Sequence, residues 1–256
     1  MSSGLARASE WPMLPALVII HYTMSTEIPE VSFLDFKCPY CGELNSFPSD
    51  SAGRLRACFN CMESLLVPDA GQETGGKIPL PFHTPRLSLR RLELGDWKDL
   101  VEFRFDSEDE AMHWLEKERQ QKLTALEETF SLGVQVRDGG KLIGCLGLKF
   151  TDHEFVQAEI SVNGNPDPKF AEFATESLRG LLGFCFSGLK LHRVIAHCES
   201  ADAQRRRLYE AAGLRCEGEF LKSYCINGEW HSAVQFAMLE EEFLAKRDSA
   251  GAAAPR

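Results

Sequence analysis

The stretch from Ala158 to Leu214 constrains the fold of this chain more than any other. Ala158–Val162 alternates apolar and polar residues, as a half-buried strand does. Asn163 through Pro168 (NGNPDP) is turn chemistry. Phe170, Phe173, Ala174, Ser177, Leu178, Leu181 and Cys185 recur at helical spacing and predict one buried stripe on a helix over Phe170–Phe186. Leu191–Cys198 reads as a second strand, Asp202 as the N-cap of a short helix and Gly213 as its stop. Strand, loop, helix and strand make a crossover unit. The helix N-terminus at its loop offers unpaired N–H groups and a partial positive charge to an anion. These residue types alone do not separate such a site from an ordinary crossover that binds nothing.

The runs AEIS, NPD, FATESLRGLL, LHRVIAHCE and RRLYEAAGL followed by EGE stand in this order. In that order and spacing the chain resembles the GNAT superfamily of acyl-CoA N-acyltransferases, in its Rim-type branch of ribosomal-protein N-terminal acetyltransferases and their relatives. The resemblance runs from about Thr84 to about Glu240.

The resemblance implies acetyl-CoA as cosubstrate, lying where two central strands splay apart, and direct attack of a neutral amine on the thioester. The amine must lose a proton to a carboxylate or a histidine, the oxyanion needs an N–H from the splayed strand around Ile160 and Val162, and a tyrosine protonates the departing thiolate. Tyr209 stands at the position of that tyrosine. His197 and Glu159 are the candidate bases. Asp202 holds the capping position where the family usually has Asn, and Arg205 replaces a Ser three residues on. In the phosphate loop, Phe170, Ala171 and Glu172 align with the family's Gly-x-Gly, just before Phe173 and Ala174. A carboxylate about 5 Å from a phosphate charge opposes it by roughly 3 kcal/mol at an effective dielectric of about 20, so weak acetyl-CoA binding, relieved by Glu172→Gly, is expected. Trp114 in DEAMHWL resembles the helix that lines the acceptor cleft in the family.

Cys38-Pro-Tyr-Cys41-Gly and Cys58-Phe-Asn-Cys61 are two C-x-x-C pairs with 16 residues between them. Two such turns on facing hairpins bring four thiolates into a tetrahedron, the closed structural site that Zn²⁺ takes. Phe33–Pro68 therefore resembles a zinc ribbon. It is too short to fold on a core of its own, so the metal would supply much of its stability, and a closed four-thiolate site has no open position for catalysis.

The remaining segments fall around these two. Residues 1–32 read as a disordered arm. Its apolar run Leu14–Tyr22 is interrupted by Pro15 and is too short to span a bilayer, and Met24 is a plausible true start. Residues 69–82 (Gly- and Pro-rich) read as a linker, 83–242 as the acetyltransferase-like domain, and 243–256 as a disordered tail. Thr84–Leu92 alternates like a strand. Asp96 is expected to cap a helix through Arg104, and Ser107 with Glu110 to form a capping box on a helix carrying Ala111, Trp114, Leu115 and Leu126. Asp138-Gly139-Gly140 and Asn227-Gly228 are hairpin signals. The fold class is α+β: a mixed sheet in a GNAT-like α/β arrangement with a small N-terminal zinc ribbon.

A net charge of −10 leaves no footprint for general nucleic-acid binding, and no segment calls for a membrane, so a cytoplasmic location is expected. Three functions stay open: an N-acetyltransferase acting on a small amine or on a ribosomal or other protein N-terminus; a binding protein on a degenerate acetyltransferase fold; and a chain whose working part is the ribbon.

Overall fold

A computed structural model describes residues 32–137, 140–164 and 168–252. The proposed arm up to Val31, Asp138 and Gly139 of one hairpin turn, Asn165–Asp167 of the loop before the crossover helix, and the last four residues lie outside the described residues.

Two small antiparallel sheets open the described chain. β1 (Phe33–Lys37) pairs with β2 (Leu44–Pro48), and β3 (Leu55–Ala57), β4 (Ser64–Leu66) and β5 (Gly76–Lys77) form a second sheet. Phe36, Phe47, Leu65 and Val67 pack with Cys38 and Cys58 into a core of their own. Leu55 does not join it: its fully buried side chain belongs to the large core of the main sheet. The stretch expected to be a linker is built into both parts. Lys37 N donates to Glu73 O and Gly75 N to Lys37 O at 2.8 and 2.9 Å, and β5 completes the second small sheet. Gly75 passes so close to Phe36 that a Cβ there would lie 2.9 Å from the ring; only glycine permits this approach.

The main sheet contains β6 (Phe82–His83), β7 (Leu87–Arg91), β8 (Phe130–Val136), β9 (Leu142–Phe150), β10 (Gln157–Gly164), β11 (Arg193–Glu199), β12 (Arg215–Ile226) and β13 (Glu229–Leu239), in the order β12-β13-β11-β10-β9-β8-β7-β6. Every neighbouring pair is antiparallel except β10 and β11, which are parallel. They are joined by the crossover helix α3 (Pro168–Gly183), which continues as a π-helical turn over Phe184–Gly188. α3, α4 (Ala203–Ala212) and α5 (Glu240–Ala252) bring Leu178, Leu181, Tyr209 and Phe243 against the large core. α1 (Trp97–Leu100) and α2 (Glu108–Gln120) cover a separate cluster on Leu92, Leu142 and Cys145. A mixed sheet clad by helices is the fold class the sequence implies.

Local signals hold in most places. Asp202 accepts from Arg205 N at 2.8 Å as the cap of α4, and Gly213 ends that helix at φ 105°. Asn227 and Gly228 both take positive φ in the β12–β13 turn, the geometry a two-residue hairpin demands. Others differ. Asp96 does not cap α1: it is buried, its carboxylate accepts from Glu93 N at 2.7 Å, closing a capping box on the 3-10 turn Leu94–Asp96, and it accepts two more hydrogen bonds from Arg90 at 2.7 and 2.9 Å; α1 ends at Leu100, short of Arg104. Ser107 accepts from Glu110 N at 3.3 Å, but the Glu110 carboxylate faces Asp106 N, one residue outside a reciprocal box. Leu126 lies beyond the end of α2, because Gln121 turns to extended backbone. The tail is helical through Ala252: the Glu242 carboxylate accepts from Leu239 N at 2.9 Å, and Phe243 stacks on Phe186 at 5.1 Å.

Candidate active site and metal centre

β10 and β11 pair only from Gln157↔Arg193 to Ile160↔Ala196. Beyond this both strands continue, β10 to Gly164 on β9 and β11 to Glu199 on β13, without pairing to each other. The sheet therefore opens at its middle, and the backbone groups of Ser161–Asn163 that face β11 have no ladder partner there. Unpaired strand N–H groups lining a cleft are what an acyl carbonyl needs if charge develops on its oxygen. Ala158, Ile160 and Val162 point into the large core, while Glu159, Ser161 and Asn163 alternate onto the other face.

At the point where the strands part, a polar chain crosses that second face. His197 Nδ1 lies 3.0 Å from Glu159 Oε1, and Nε2 lies 3.0 Å from Gln235 Oε1. Gln235 Nε2 donates to Glu217 at 3.0 Å, which turns its oxygen toward the ring. Lys149 pairs with Glu159 at 3.3 Å, and Arg193 with Glu217. Both imidazole nitrogens thus face acceptors. The Glu159 carboxylate beside it raises the His197 pKa, against the effect of burial, and the same contact lowers that of Glu159. In this arrangement both nitrogens of His197 are engaged, one with Glu159 and one with Gln235.

Tyr209 projects from α4 into the core, 1% exposed, with its hydroxyl 3.4 Å from the His197 carbonyl on the diverging strand. Burial pushes its pKa up to about 12. Phe170 and Ala174 are buried, and Phe170 lies so close to Gly144 that its ring occupies the space a Cβ would need. Ala171 and Glu172 are exposed and Phe173 half-buried, with the Arg86 guanidinium 4.4 Å from its ring centre. α3 begins at Pro168, two residues before the expected Phe170, so Glu172 is its fifth residue and lies past the first turn. Its carboxylate is held at 2.7 Å by Arg86, whose guanidinium also grips Glu176. Arg205 stays near the α4 cap, 3.6 Å from Asp202.

On the face of Ser161 and Asn163 a cavity of about 390 Å³ opens between β10, α2 and the segment after α2. Arg104, Trp114, Glu118, Glu127 and Glu128 line it. Gly147 makes room here: a Cβ would strike both Ser161 Oγ and Thr129. Glu118 is the residue the sequence reading misses. It follows Ala111, Trp114 and Leu115 at helical spacing, so it is an acid on the buried stripe of α2, the one signal that could have found it. It is 8% exposed, and its Oε1 accepts from Ser131 N at 2.6 Å. Burial raises its pKa, while the Ser131 amide, Arg104 and Arg91 pull the other way.

In the small sheets the four cysteine sulfurs lie within 4.8 Å of one another and can hold a metal ion. The two turns repeat one geometry. Cys38 N donates to Glu43 O and Gly42 N to Cys38 O; Cys58 N donates to Glu63 O and Met62 N to Cys58 O, all at 2.8–3.1 Å. Gly42 and Met62 take positive φ at matching places. The closest sulfur contacts, Cys38–Cys61 at 3.8 Å and Cys41–Cys58 at 3.7 Å, are far longer than a disulfide of about 2.0 Å. They match the edge of about 3.8 Å of a tetrahedron with metal–sulfur bonds of about 2.3 Å. Tyr40 N and Asn45 Nδ2 point at sulfurs of Cys38 and Cys58, as donors around thiolate ligands do. Among the described residues no helix is long and apolar enough to cross a membrane.

Comparison with known proteins agrees with the opened sheet. Residues 86–215, about half of the chain, match the family model described as the acetyltransferase (GNAT) domain. An uncharacterized N-acetyltransferase of Bacillus subtilis, YnaD, is 29% identical over 62% of this chain and 97% of its own. The spermidine N(1)-acetyltransferase of Vibrio cholerae is 25% identical over 62% of this chain and 96% of its own. The crystal structure of a GNAT-family acetyltransferase from Bacillus anthracis superposes with a TM-score of 0.56 at 25% identity, covering 63% of this chain and all but 1% of that one. A strand pair that parts in mid-sheet and a family match spanning both of its strands lead to one conclusion: this chain belongs to the GNAT acetyltransferase family and is an acyl-CoA-dependent acyltransferase.

Proposed function

We propose that this protein moves the acetyl group of acetyl-CoA to a small cationic primary amine, which enters through the cavity between α2 and β10. The observation that carries the reading is Glu118, a buried carboxylate with one oxygen on the Ser131 amide, in a cavity that also holds Glu127 and Glu128. Glu118, Glu127 and Glu128 outnumber Arg104 and Lys117 by one in that cavity, a small negative balance that favours an ammonium group over a neutral acceptor. The spermidine N-acetyltransferase relative fits that class. A protein N-terminus, the acceptor of the Rim-type branch, is the competing substrate.

Glu118 holds the ammonium and accepts the proton it gives up. The freed nitrogen attacks the thioester carbonyl carbon; a C–N bond forms, the C–S bond breaks, the thiolate leaves with a proton, and the second proton of the acylated nitrogen is lost to the phenolate that this leaves on Tyr209, restoring the phenol. Unpaired N–H groups around Val162 face the developing oxyanion, and Tyr209, protonated throughout the neutral range, supplies the thiolate's proton. For the cysteine cluster we propose Zn²⁺, since four thiolates at these separations suit a closed tetrahedral site. It would be held by Cys38, Cys41, Cys58 and Cys61, supplying rigidity and no chemistry.

Steady-state assays with spermidine and with a short peptide bearing a free N-terminus test the reading, each on the wild type and on Glu118→Gln. Turnover of spermidine in preference to the peptide, with kcat/KM lowered about a hundredfold or more in Glu118→Gln and acetyl-CoA binding unchanged in calorimetry, supports it. Preference for the peptide, turnover of neither, or an unaffected variant overturns it.

A further inference from the structure

The cysteine turn Cys58–Glu63 does more than complete a metal site. Its last residue and the next one grip the acetyltransferase domain. The Glu63 carboxylate pairs with Lys122. Ser64, 5% exposed, accepts from Thr124 N at 3.1 Å and shares a second hydrogen bond with Thr124 Oγ1 at 3.0 Å. Lys122 and Thr124 belong to the segment 121–129 between α2 and β8. This segment has no regular secondary structure, and Glu127 sits in it at φ 63°. The same segment supplies Gln121, Glu127, Glu128 and Thr129 to the wall of the cavity assigned above to the acceptor. Its other ties are these: Leu123 is buried and Leu126 packs against the large core, Arg91 donates to Gln121 O at 2.9 Å, Gln121 N donates to Glu118 O at 3.1 Å, and Ala125 N donates to Lys122 O at 3.0 Å.

The turn that carries Glu63 is closed by Cys58 N on Glu63 O, and its shape depends on where the sulfurs of Cys58 and Cys61 are held. An irregular segment tied by a handful of polar contacts opens locally more easily than the strands beside it. The ribbon's other ties to the large domain lie elsewhere. Arg56 meets the Glu154 carboxylate at 2.9 Å and the Glu154 carbonyl at 2.8 Å. Glu154 precedes β10, at the end of that strand away from the split.

We propose that Glu63 and Ser64 are positioning residues for the acceptor. The metal-bound cysteine turn holds segment 121–129 in the shape that makes the acceptor wall, so loss of the metal loosens acceptor binding and spares acetyl-CoA binding. The proposal rests on the acceptor cavity and the metal centre proposed above. The acetyl-CoA cleft lies between β10 and β11, beyond the reach of this grip.

The double variant Glu63→Gln/Ser64→Ala, made in the full chain with all four cysteines intact, tests this. The first readout is amide hydrogen exchange, which requires no substrate. Exchange over 121–129 should speed up about tenfold or more in the variant, and likewise in the wild type after metal chelation, with β9 and α3 unchanged. Calorimetry should give an acetyl-CoA affinity within about twofold of the wild type. With spermidine as acceptor, KM should rise about tenfold with kcat nearly kept, since the wall that holds the acceptor loosens while the reacting groups stay in place. Unchanged exchange in 121–129, after chelation or in the variant, overturns the proposal, as does an equal loss of acetyl-CoA and acceptor binding. If spermidine is not turned over at all, the acceptor reading fails by itself and the exchange arm still decides whether the ribbon holds the segment.

Discussion

His197 Nδ1 and Glu159 Oε1 stand 3.0 Å apart across the strand pair that parts immediately beyond them: Glu159 is within the last paired positions of β10, and His197 is the first residue of β11 past the pairing. The link spans the root of the cleft. Its partner raises His197 above its ordinary value near 6.5 and lowers Glu159.

The sign of the pH effect follows from these directions. A histidine raised in the fold contributes stability in full below about pH 6.5 and loses it as the pH climbs through the raised value. The lowered carboxylate keeps its part down to its own folded pKa and loses it below. The Tm difference between wild type and His197→Gln should therefore be largest near pH 6 and shrink toward about pH 9. A difference flat across that window would show that the folded imidazole is neutral.

Tyr209→Phe removes a hydroxyl whose proton is held to about pH 12. If that proton goes to the leaving thiolate, kcat falls about a hundredfold or more while acetyl-CoA affinity measured by calorimetry stays put. A kcat within a factor of about two of wild type would leave Tyr209 as core packing against Phe236, 5.5 Å away.

Glu172→Gln tests the phosphate-loop argument. The carboxylate is mostly exposed, its side chain 61% accessible, and tied to Arg86. Exposed pairs of this kind contribute at most about 1 kcal/mol, so acetyl-CoA affinity should change less than about fivefold. A tenfold gain would mean that the carboxylate does act on the bound phosphates, as the sequence reading expects.

Leu55→Ala asks whether the ribbon and the large domain share stability. Leu55 sits on a ribbon strand yet is fully buried in the large core. Truncation should cost about 2–5 kcal/mol, seen as a lower midpoint of the main transition in urea. If the main transition does not move and only a small early one does, the ribbon folds as an independent unit joined by residues 69–82.

The sequence by itself determined the parts whose signals are local. The strands read at Thr84–Leu92, Ala158–Val162 and Leu191–Cys198, the α4 cap at Asp202, its stop at Gly213, the Asn227-Gly228 turn and the spacing of Cys38, Cys41, Cys58 and Cys61 all depend on residues a few positions apart, where periodicity and backbone preference act directly. Tertiary structure alone decided the rest. That Asp96 meets Arg90 in place of capping α1 depends on a strand six residues back, and Glu172 is drawn to Arg86 from 86 residues away. Leu126 left its helix where the chain turns toward the ribbon, and the proposed linker was taken up by Phe36 and β4. The acidic cavity around Glu118 is legible only as one charge on an apolar stripe until α2, β8 and β10 meet around it. These outcomes are competitions between a local preference of a few tenths to about 1 kcal/mol and the larger free energy of burying and pairing groups distant in the chain. Only the folded neighbourhood says which partner arrives.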